Sequence, residues 1–321
     1  MKILVTGGAG YIGSHGVYAL IEAGHEVVVV DNLVTGHRAD VHPKASFYHG
    51  DIGDYTFMRQ VLEVEQPVGV IHYAAYSLVG ESMTNPYKYY ANNVSGTNTL
   101  LKAMADSGVR HLVFSSTAAT YGDTTVMPIT ETAPTQPTNA YGETKLAMER
   151  MIDWHAQATG MTYMSLRYFN VAGAHPSGIL CEKHDPETHL IPLVLQVATG
   201  QREQIGIYGD DYPTPDGTCI RDYIHVMDLA QAHILAMTHL VKGAESTICN
   251  LGNGEGFSVR QIIEAARRVT GHPIPAVVSP RRAGDPAKLI ASSEKAKTLL
   301  GWQADYTDIE AIIATAWESI Q

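Results

Sequence analysis

The chain has 321 residues, with 22 Lys+Arg against 33 Asp+Glu and a formal net charge of −11. That balance argues against a sequence-independent grip on nucleic acid or anionic lipid, so neither nucleic acid nor membrane is expected as a partner, and an anionic ligand has to be met by locally placed arginines. The length suits two lobes around a substantial core. Three cysteines, Cys181, Cys219 and Cys249, cannot all be paired and lack metal-ligand spacing, which points to structural thiols in a reducing compartment.

The first apolar run, Ile3–Thr6, reads as a strand with neither a basic leader nor a long apolar segment before it, and a cytoplasmic location is the expectation. Gly7, Gly10 and Gly13 follow at Gly-x-x-Gly-x-x-Gly spacing and open a helix. Without Cβ atoms the turn can be tight and the backbone can approach a ligand, while free N–H groups and the helix dipole seat a pyrophosphate. Glu26–Val30 is the second strand. Asp31 at its end lies 18 residues beyond Gly13, close to the ~20 expected of an acid that accepts from adenine ribose hydroxyls. A carboxylate there favours NAD over NADP, whose extra phosphate it repels.

Strands are also expected at Ser46–His49, Val68–His72, His111–Ser115 and Thr162–Arg167, with helix-length amphipathic stretches between them. This βαβ rhythm predicts a doubly wound, Rossmann-type parallel sheet covered on both faces, the α/β class. Asp51-Ile52 follows the third strand and is placed beside the adenine. Tyr73, Ala74 and Ala75 follow the fourth, where the small alanines let a cofactor lie against the backbone. Tyr141-Gly142-Glu143-Thr144-Lys145 then puts a phenol and an amine four residues apart, on one helix face. A free tyrosine titrates near ~10, so lowering it to about 7 takes roughly 4 kcal/mol, which a close ammonium helped by a cationic nicotinamide would supply.

After about Gly173 the rhythm breaks. Loops are expected at His175–Asp185 and Gly209–Gly217, helices at Asp228–Lys242, Val259–Thr270 and Ile309–Ser319, and strands at Asp222–His225 and Thr247–Leu251 that rejoin the first sheet. The expected division is a nucleotide-binding domain over 1–173, with returns near 222–251, and a smaller C-terminal α/β substrate lobe over 174–321.

With the glycine turn, Asp31, Thr117, Tyr141 and Lys145 assembled, the chain resembles the extended short-chain dehydrogenase/reductase family, and within it the nucleotide-sugar epimerases. The resemblance also rests on Asn92-Asn93-Val94, Ser115-Ser116-Thr117, Arg167-Tyr168-Phe169-Asn170 and Arg221-Asp222-Tyr223-Ile224-His225, and runs nearly the whole length. It implies inversion at carbon 4 of a UDP-hexose, UDP-glucose or UDP-galactose, through a 4-keto sugar, with NAD never leaving. Tyr141 is then the base, Lys145 holds its pKa down and touches the nicotinamide ribose, and Thr117 hydrogen-bonds the sugar hydroxyl. Tyr11, Ile12, Asn32, Asn92, Ser115 and Tyr168 join the implied cofactor set. On the substrate side Asn170 and Arg221 face the pyrophosphate, Arg282 lies near ribose and phosphate, Asp285 meets the uridine ribose, and Leu190, Ile207 and Tyr208 frame the uracil. Leu289 falls where relatives place a gate beside the sugar. Two departures are noted: Ser77 stands where many members have a lysine, and His189 where others have an asparagine. The resemblance further implies a homodimer joined through Pro86–Ser107 and Tyr141–Thr159.

Related dehydratases carry Asp and Glu after the catalytic threonine, and decarboxylases keep the Glu; here Ala118 and Ala119 stand there, and a methyl group cannot shuttle a proton. Other readings are epimerases of N-acetylhexosamine, uronate or pentose nucleotides, and a non-catalytic NAD-sensing protein, since fold alone does not guarantee chemistry. No metal is expected, because the 15 histidines include no His-Glu-x-x-His. A serine hydrolase is also unsupported, as no Gly-x-Ser-x-Gly elbow occurs.

Overall fold

The computed structural model describes residues 1–282 and 285–321. Strand β1 (Lys2–Thr6), helix α1 (Tyr11–Glu22) and strand β2 (Glu26–Asp31) make the first βαβ unit. Next come β3 (Ser46–His49), α2 (Tyr55–Glu65), β4 (Gly69–His72) and the short helices α3 (Val79–Thr84) and α4 (Pro86–Tyr89). A π-helical turn at Tyr90–Ser95 leads into α5 (Gly96–Asp106), followed by β5 (His111–Thr117), α6 (Ala140–Thr159) and β6 (Thr162–Tyr168). All six expected strands are present, their ends displaced by no more than a residue or two. The near-continuous Val, Ile and Leu content of β1, β2 and β4 is what burial on both faces demands.

The second half contains β7 (Asn170–Ala172), α7 (Leu190–Ala198), β8 (Ile205–Tyr208), β9 (Ile220–Arg221), β10 (Tyr223–His225), α8 (Val226–Val241) and β11 (Thr247–Leu251). It closes with β12 (Phe257–Ser258), α9 (Val259–Thr270), β13 (Ala276–Ser279), β14 (Lys288–Leu289), α10 (Glu294–Leu300) and α11 (Ile309–Glu318). The expected helices and loops lie here, and α7, β8 and β13, which periodicity did not announce, lie among them. Helix α9 starts on a capping box, Ser258 with Gln261, and ends on Gly271 in the left-handed region.

Seven parallel strands form the central sheet in the order β11-β6-β5-β4-β1-β2-β3. Strand order reverses between β1 and β4, which opens a crevice at their carboxyl ends. One face is buried under α1 and α8 around Val17, Leu20, Leu229 and Met237. The other is buried under α2, α5 and α6 around Met58, Leu100, Met148 and Ile152. Each such side chain contributes about 1.5–3 kcal/mol on full burial. A third core, with Val194, Ile207, Ile263 and Ile312, joins α7, α9 and α11 to β8.

Of the two late strands, Thr247–Leu251 pairs with β6 at the edge of the large sheet, whereas the Asp222–His225 segment does not reach it. Its residues Tyr223–His225 pair in parallel with β7 instead. The reason lies in Asp222, whose carboxylate accepts from the backbone N–H groups of Asn253 (2.6 Å), Gly254 (3.0 Å) and Ala291 (3.0 Å) and so holds this segment among the loops above the sheet. Asp222 is thereby engaged with backbone and not with the neighbouring Arg221.

Candidate active site

A cleft runs from the glycine turn across the switch point to the start of α6. Gly7 sits at φ +74°, and a Cβ there would fall 2.6 Å from the Ala74 nitrogen. A Cβ on Gly13 would fall 2.0 Å from the Gly7 carbonyl oxygen. No side chain caps α1 at Gly10, so the first-turn N–H groups of Tyr11, Ile12 and Gly13, which line the cleft, are left for an anion. The Asp31 carboxylate accepts from Ala9 N (2.9 Å) and Leu33 N (2.8 Å), tying the glycine turn to the end of β2 while facing the cleft. This cradle, bare of side chains and closed by an acid, fits a dinucleotide.

Asn32, Ile52, Tyr73, Ala74, Ala75, Ser77, Asn92 and Tyr168 also line the cleft. Asp51 and Ser115 do not. Asp51 accepts from the Asn32 side chain at 2.8 Å and from Gly53 N at 2.7 Å, bracing Asn32 from behind. The Ser115 hydroxyl is engaged with Tyr168 and His233, both at 3.1 Å. Beneath the cleft His72 is clamped between Thr6 (2.7 Å) and Thr97 (2.8 Å), and burial, followed by the charge of Lys145, brings its pKa down to about 3. It is a neutral structural post.

Thr117 ends β5 and Tyr141 stands in the first turn of α6, which Asn139 caps by accepting from Gly142 N at 2.8 Å. Tyr141 N in turn donates to Ser82 Oγ at 3.1 Å. One turn on, Lys145 Nζ donates to the Ser115 carbonyl (2.9 Å) and lies 6.0 Å from the Tyr141 ring centre. Thr117, Tyr141 and Lys145 all line the cleft, and all are buried. A further turn along, Glu149 accepts from Arg167 Nε (2.9 Å) and Nη2 (2.5 Å) and from Ser116 Oγ (2.5 Å), a buried network that anchors α6 to β5 and β6.

The electrostatics differ from the sequence expectation. Burial pushes the Tyr141 phenol well above its ordinary range, nearby Tyr168 adds to this, and a hydrogen bond with Thr117 opposes it. Burial likewise brings the Lys145 amine from 10.5 down to about 7, with Glu149 opposing. The same desolvation acts on both groups, and the Lys145 amine donates to the Ser115 carbonyl. The two net-neutral arrangements, phenol with amine and phenolate with ammonium, are the ones such a site tolerates.

On the substrate side Asn170 and His189 line the cleft, whereas Leu190, Ile207, Tyr208, Arg221, Arg282, Asp285 and Leu289 do not. The strands that carry Arg221 and Leu289 are tied to the cleft through the backbone: Asn170 N donates to Asp222 O (3.0 Å), and Asp222 N to Leu289 O (3.0 Å). Arg221 donates to the Ile220 and Pro286 carbonyls (2.9 and 2.8 Å) and pairs with Asp285 at 3.3 Å. The Arg282 guanidinium lies 4.0 Å over the Tyr208 ring. Ile207 is in the third core, where its alternating position on β8 turns it inward, and Leu190 packs on that core. Leu289 packs against the cluster of Ala118, Tyr121, Ile129 and Phe169, with Arg221 opposite it in register. Arg281 pairs with exposed Asp211 at 2.6 Å.

Sequence reasoning did not single out Phe169, Glu182 and His184, which also line the cleft. The latter two belong to Glu182-x-His184-x-x-Glu187-x-His189, whose ligand-type atoms lie within 4.8 Å of one another. A search for paired histidines at helical spacing passes over it, because the segment is a loop; the alternation of acids and histidines was the available signal.

A parallel sheet with a glycine turn at its switch point and a buried Thr-Tyr-Lys group beside it defines a nucleotide-dependent enzyme that oxidises and reduces an alcohol. The chain belongs to the NAD dependent epimerase/dehydratase family, whose model matches residues 3–252. It is 59% identical over 317 residues to UDP-glucose 4-epimerase of Halalkalibacterium halodurans, an alignment covering 99% of this chain and 95% of that protein. Among solved structures it matches UDP-glucose 4-epimerase from Brucella ovis in complex with NAD (48% identity, TM-score 0.96, covering 98% of this chain and 97% of the other). It also matches the Bifidobacterium longum enzyme in complex with NAD+ and UDP (40% identity, TM-score 0.93, covering 99% and 98%).

Proposed function

We infer that this protein is an NAD-dependent isomerase that interconverts UDP-glucose and UDP-galactose by inversion at carbon 4. The observation that carries the reading is the convergence of Thr117, Tyr141 and Lys145 at the mouth of the switch-point cleft, with Ala118 and Ala119 where related dehydratases place proton-transferring acids. Ala118 is packed against Tyr121 and Phe169, and neither Ala118 nor Ala119 can carry a proton. Bound NAD supplies a reversible hydride acceptor. Gly7, Gly10 and Gly13 would hold its pyrophosphate, Asp31 its adenine ribose, and Lys145 its nicotinamide ribose.

The chain's own residues handle the proton. Thr117 orients the sugar 4-hydroxyl toward Tyr141, and Tyr141 takes its proton on oxidation and returns it on reduction. Lys145 as the ammonium would face Tyr141 while it is the phenolate, a net-neutral pair, and the proton that Tyr141 accepts on oxidation is the one it returns on reduction. The 4-keto sugar turns about its phosphate linkage between the two half-reactions. Arg221, Arg282 and Asn170 would hold the diphosphate and Asp285 the uridine ribose, the Arg221–Asp285 pair opening to meet them; planar guanidinium groups suit phosphate.

The exposed apolar residues support a homodimer through α4–α5 and α6. Tyr87 (83% exposed) and Tyr90 (42%) lie on one of these stretches and Trp154 (69%) on the other. No helix among the described residues is long and apolar enough to cross a membrane.

The test of function is to give the purified protein UDP-galactose without added cofactor. UDP-glucose should accumulate to equilibrium over many turnovers. Stoichiometric accumulation of a 4-keto or 4,6-dehydrated product in its place would overturn the reading.

A further inference from the structure

The loop between β7 and α7 brings Glu182, His184, Glu187 and His189 together at the boundary between the cleft and a second cavity under α7 and α11. His189 Nδ1 stands 2.9 Å from both Glu182 Oε1 and Glu187 Oε1, and His184 Nδ1 stands 3.0 Å from Glu182 Oε1 and 3.6 Å from Glu187 Oε2. Both carboxylate side chains are more than nine-tenths buried, at 8% and 6% exposure. One ligand-type atom from each of the four residues lies within 4.8 Å of the other three.

We propose that these four side chains form a binding site for a divalent transition-metal ion of the zinc class, which clasps the loop closed over the cleft. Zinc takes His nitrogen and Glu oxygen at about 2.0–2.2 Å in a tetrahedron, which puts neighbouring donors roughly 3.3–3.5 Å apart, and the four N···O separations straddle that value. Two imidazoles and two carboxylates with a divalent ion sum to zero charge, which suits a buried place. Imidazole favours zinc and its neighbours over magnesium or calcium.

Hydrogen bonding accounts for His189, whose Nδ1 is bonded to Glu187 Oε1 at 2.9 Å, but less well for His184. His184 Nδ1 is a buried nitrogen with no hydrogen-bond partner, although it lies 3.0 Å from the Glu182 oxygen: it is not aligned to donate there. An unpartnered imidazole nitrogen 3.0 and 3.6 Å from two carboxylates leaves room for an ion to meet it. The Glu187 Oε1 oxygen is also held by the backbone N–H groups of Thr188 and His189, each at 2.7 Å.

The ion would act as a staple. Tyr11 of the glycine turn donates to Gly173 O at the start of the loop (2.6 Å), the His184 ring meets the Tyr11 ring edge-on at 6.1 Å, and Lys183 reaches Asp40 at 2.7 Å. Fixing the loop at its far end closes one wall of the cleft without entering the chemistry.

The test uses full-length, untagged protein. Elemental analysis of protein from zinc-supplemented cells should find about one zinc per chain, and after chelation cobalt(II) should bind with the intense visible band of a four-coordinate site. Restoring zinc should raise the melting temperature of the chelated protein. Glu187→Gln, which keeps the shape and the backbone contacts, and His184→Ala should each weaken zinc binding at least ~10-fold, a ligand counting for no less than its supporting partners. Protein that is metal-free as isolated and neither binds cobalt(II) nor gains stability from zinc would overturn the proposal. So would zinc bound equally well by wild type and Glu187→Gln. If the variants do not fold, the wild-type cobalt spectrum and melting shift decide alone.

Discussion

Replacing Lys145 with Met exchanges a buried amine for an apolar chain of similar length, and the structure predicts a gain in stability with loss of activity. A pKa brought from 10.5 to about 7 by burial means that the folded state disfavours the ammonium. At about 1.36 kcal/mol per pKa unit the full penalty is roughly 5 kcal/mol. It is wholly present below pH 7, where the amine is protonated in both the folded and the unfolded chain. It falls as pH rises from about 7 towards 10.5, because only the unfolded chain remains protonated there, and it is gone above that. Losing the hydrogen bond to Ser115 O costs about 1 kcal/mol, and relaxation around a buried charge reduces the penalty further, so a net gain of about 1–3 kcal/mol is expected at pH 6. The assay is urea unfolding of wild type and Lys145→Met at pH 6 and pH 10 in the same salt, read as the difference between the two proteins. The variant should lead at pH 6 and lose that lead at pH 10. A difference independent of pH would refute the neutral-amine argument, and would mean that Lys145 stays charged in the fold beside a protonated Tyr141.

Tyr141→Phe should lower kcat by about 10²–10⁴, or roughly 3–5 kcal/mol of barrier, while NAD still co-purifies; retention of more than a tenth of the activity would remove Tyr141 from the base role. Gly13→Ala should yield protein that no longer retains NAD, as its Cβ would be 2.0 Å from the Gly7 carbonyl oxygen, and nucleotide content after denaturation measures this. Comparing Leu289→Tyr and Leu289→Ser with wild type on UDP-glucose and UDP-N-acetylglucosamine should shift the ratio of kcat/KM values, with tyrosine excluding the N-acetyl sugar. A ratio constant to within about threefold, under ~0.7 kcal/mol, would mean that Leu289 only packs against Phe169 and Ala118.

The nucleotide half was readable because each of its signals is local. A glycine turn between a strand and a helix, an acid at the next strand end and a Tyr-x-x-x-Lys helix are set by backbone geometry within a few residues. The substrate side was harder. Ile207 alternates correctly for either a ligand wall or a core, and only the packing of α7 and α9 turns it inward. The partners of Arg221 and Asp222 depend on residues 31 to 69 positions away, which no local pattern reports. Spacing along a helix fixes the adjacency of Tyr141 and Lys145 but says nothing of how far both groups are withdrawn from water.

The place of β11 bears on how the protein is made. When a ribosome has finished β6, the edge of that strand still lacks its partner, which lies some eighty residues further along the chain. Until Leu251 has emerged, the nascent sheet presents an unpaired row of donors and acceptors to any other chain nearby, and its α8-covered face is still bare. Cutting the gene after residue 173 would make that passing state permanent. Such a fragment should collect in the insoluble fraction, whereas one extended through β11 should partition more into the soluble fraction, and equal solubility of the two would show that the open edge is harmless.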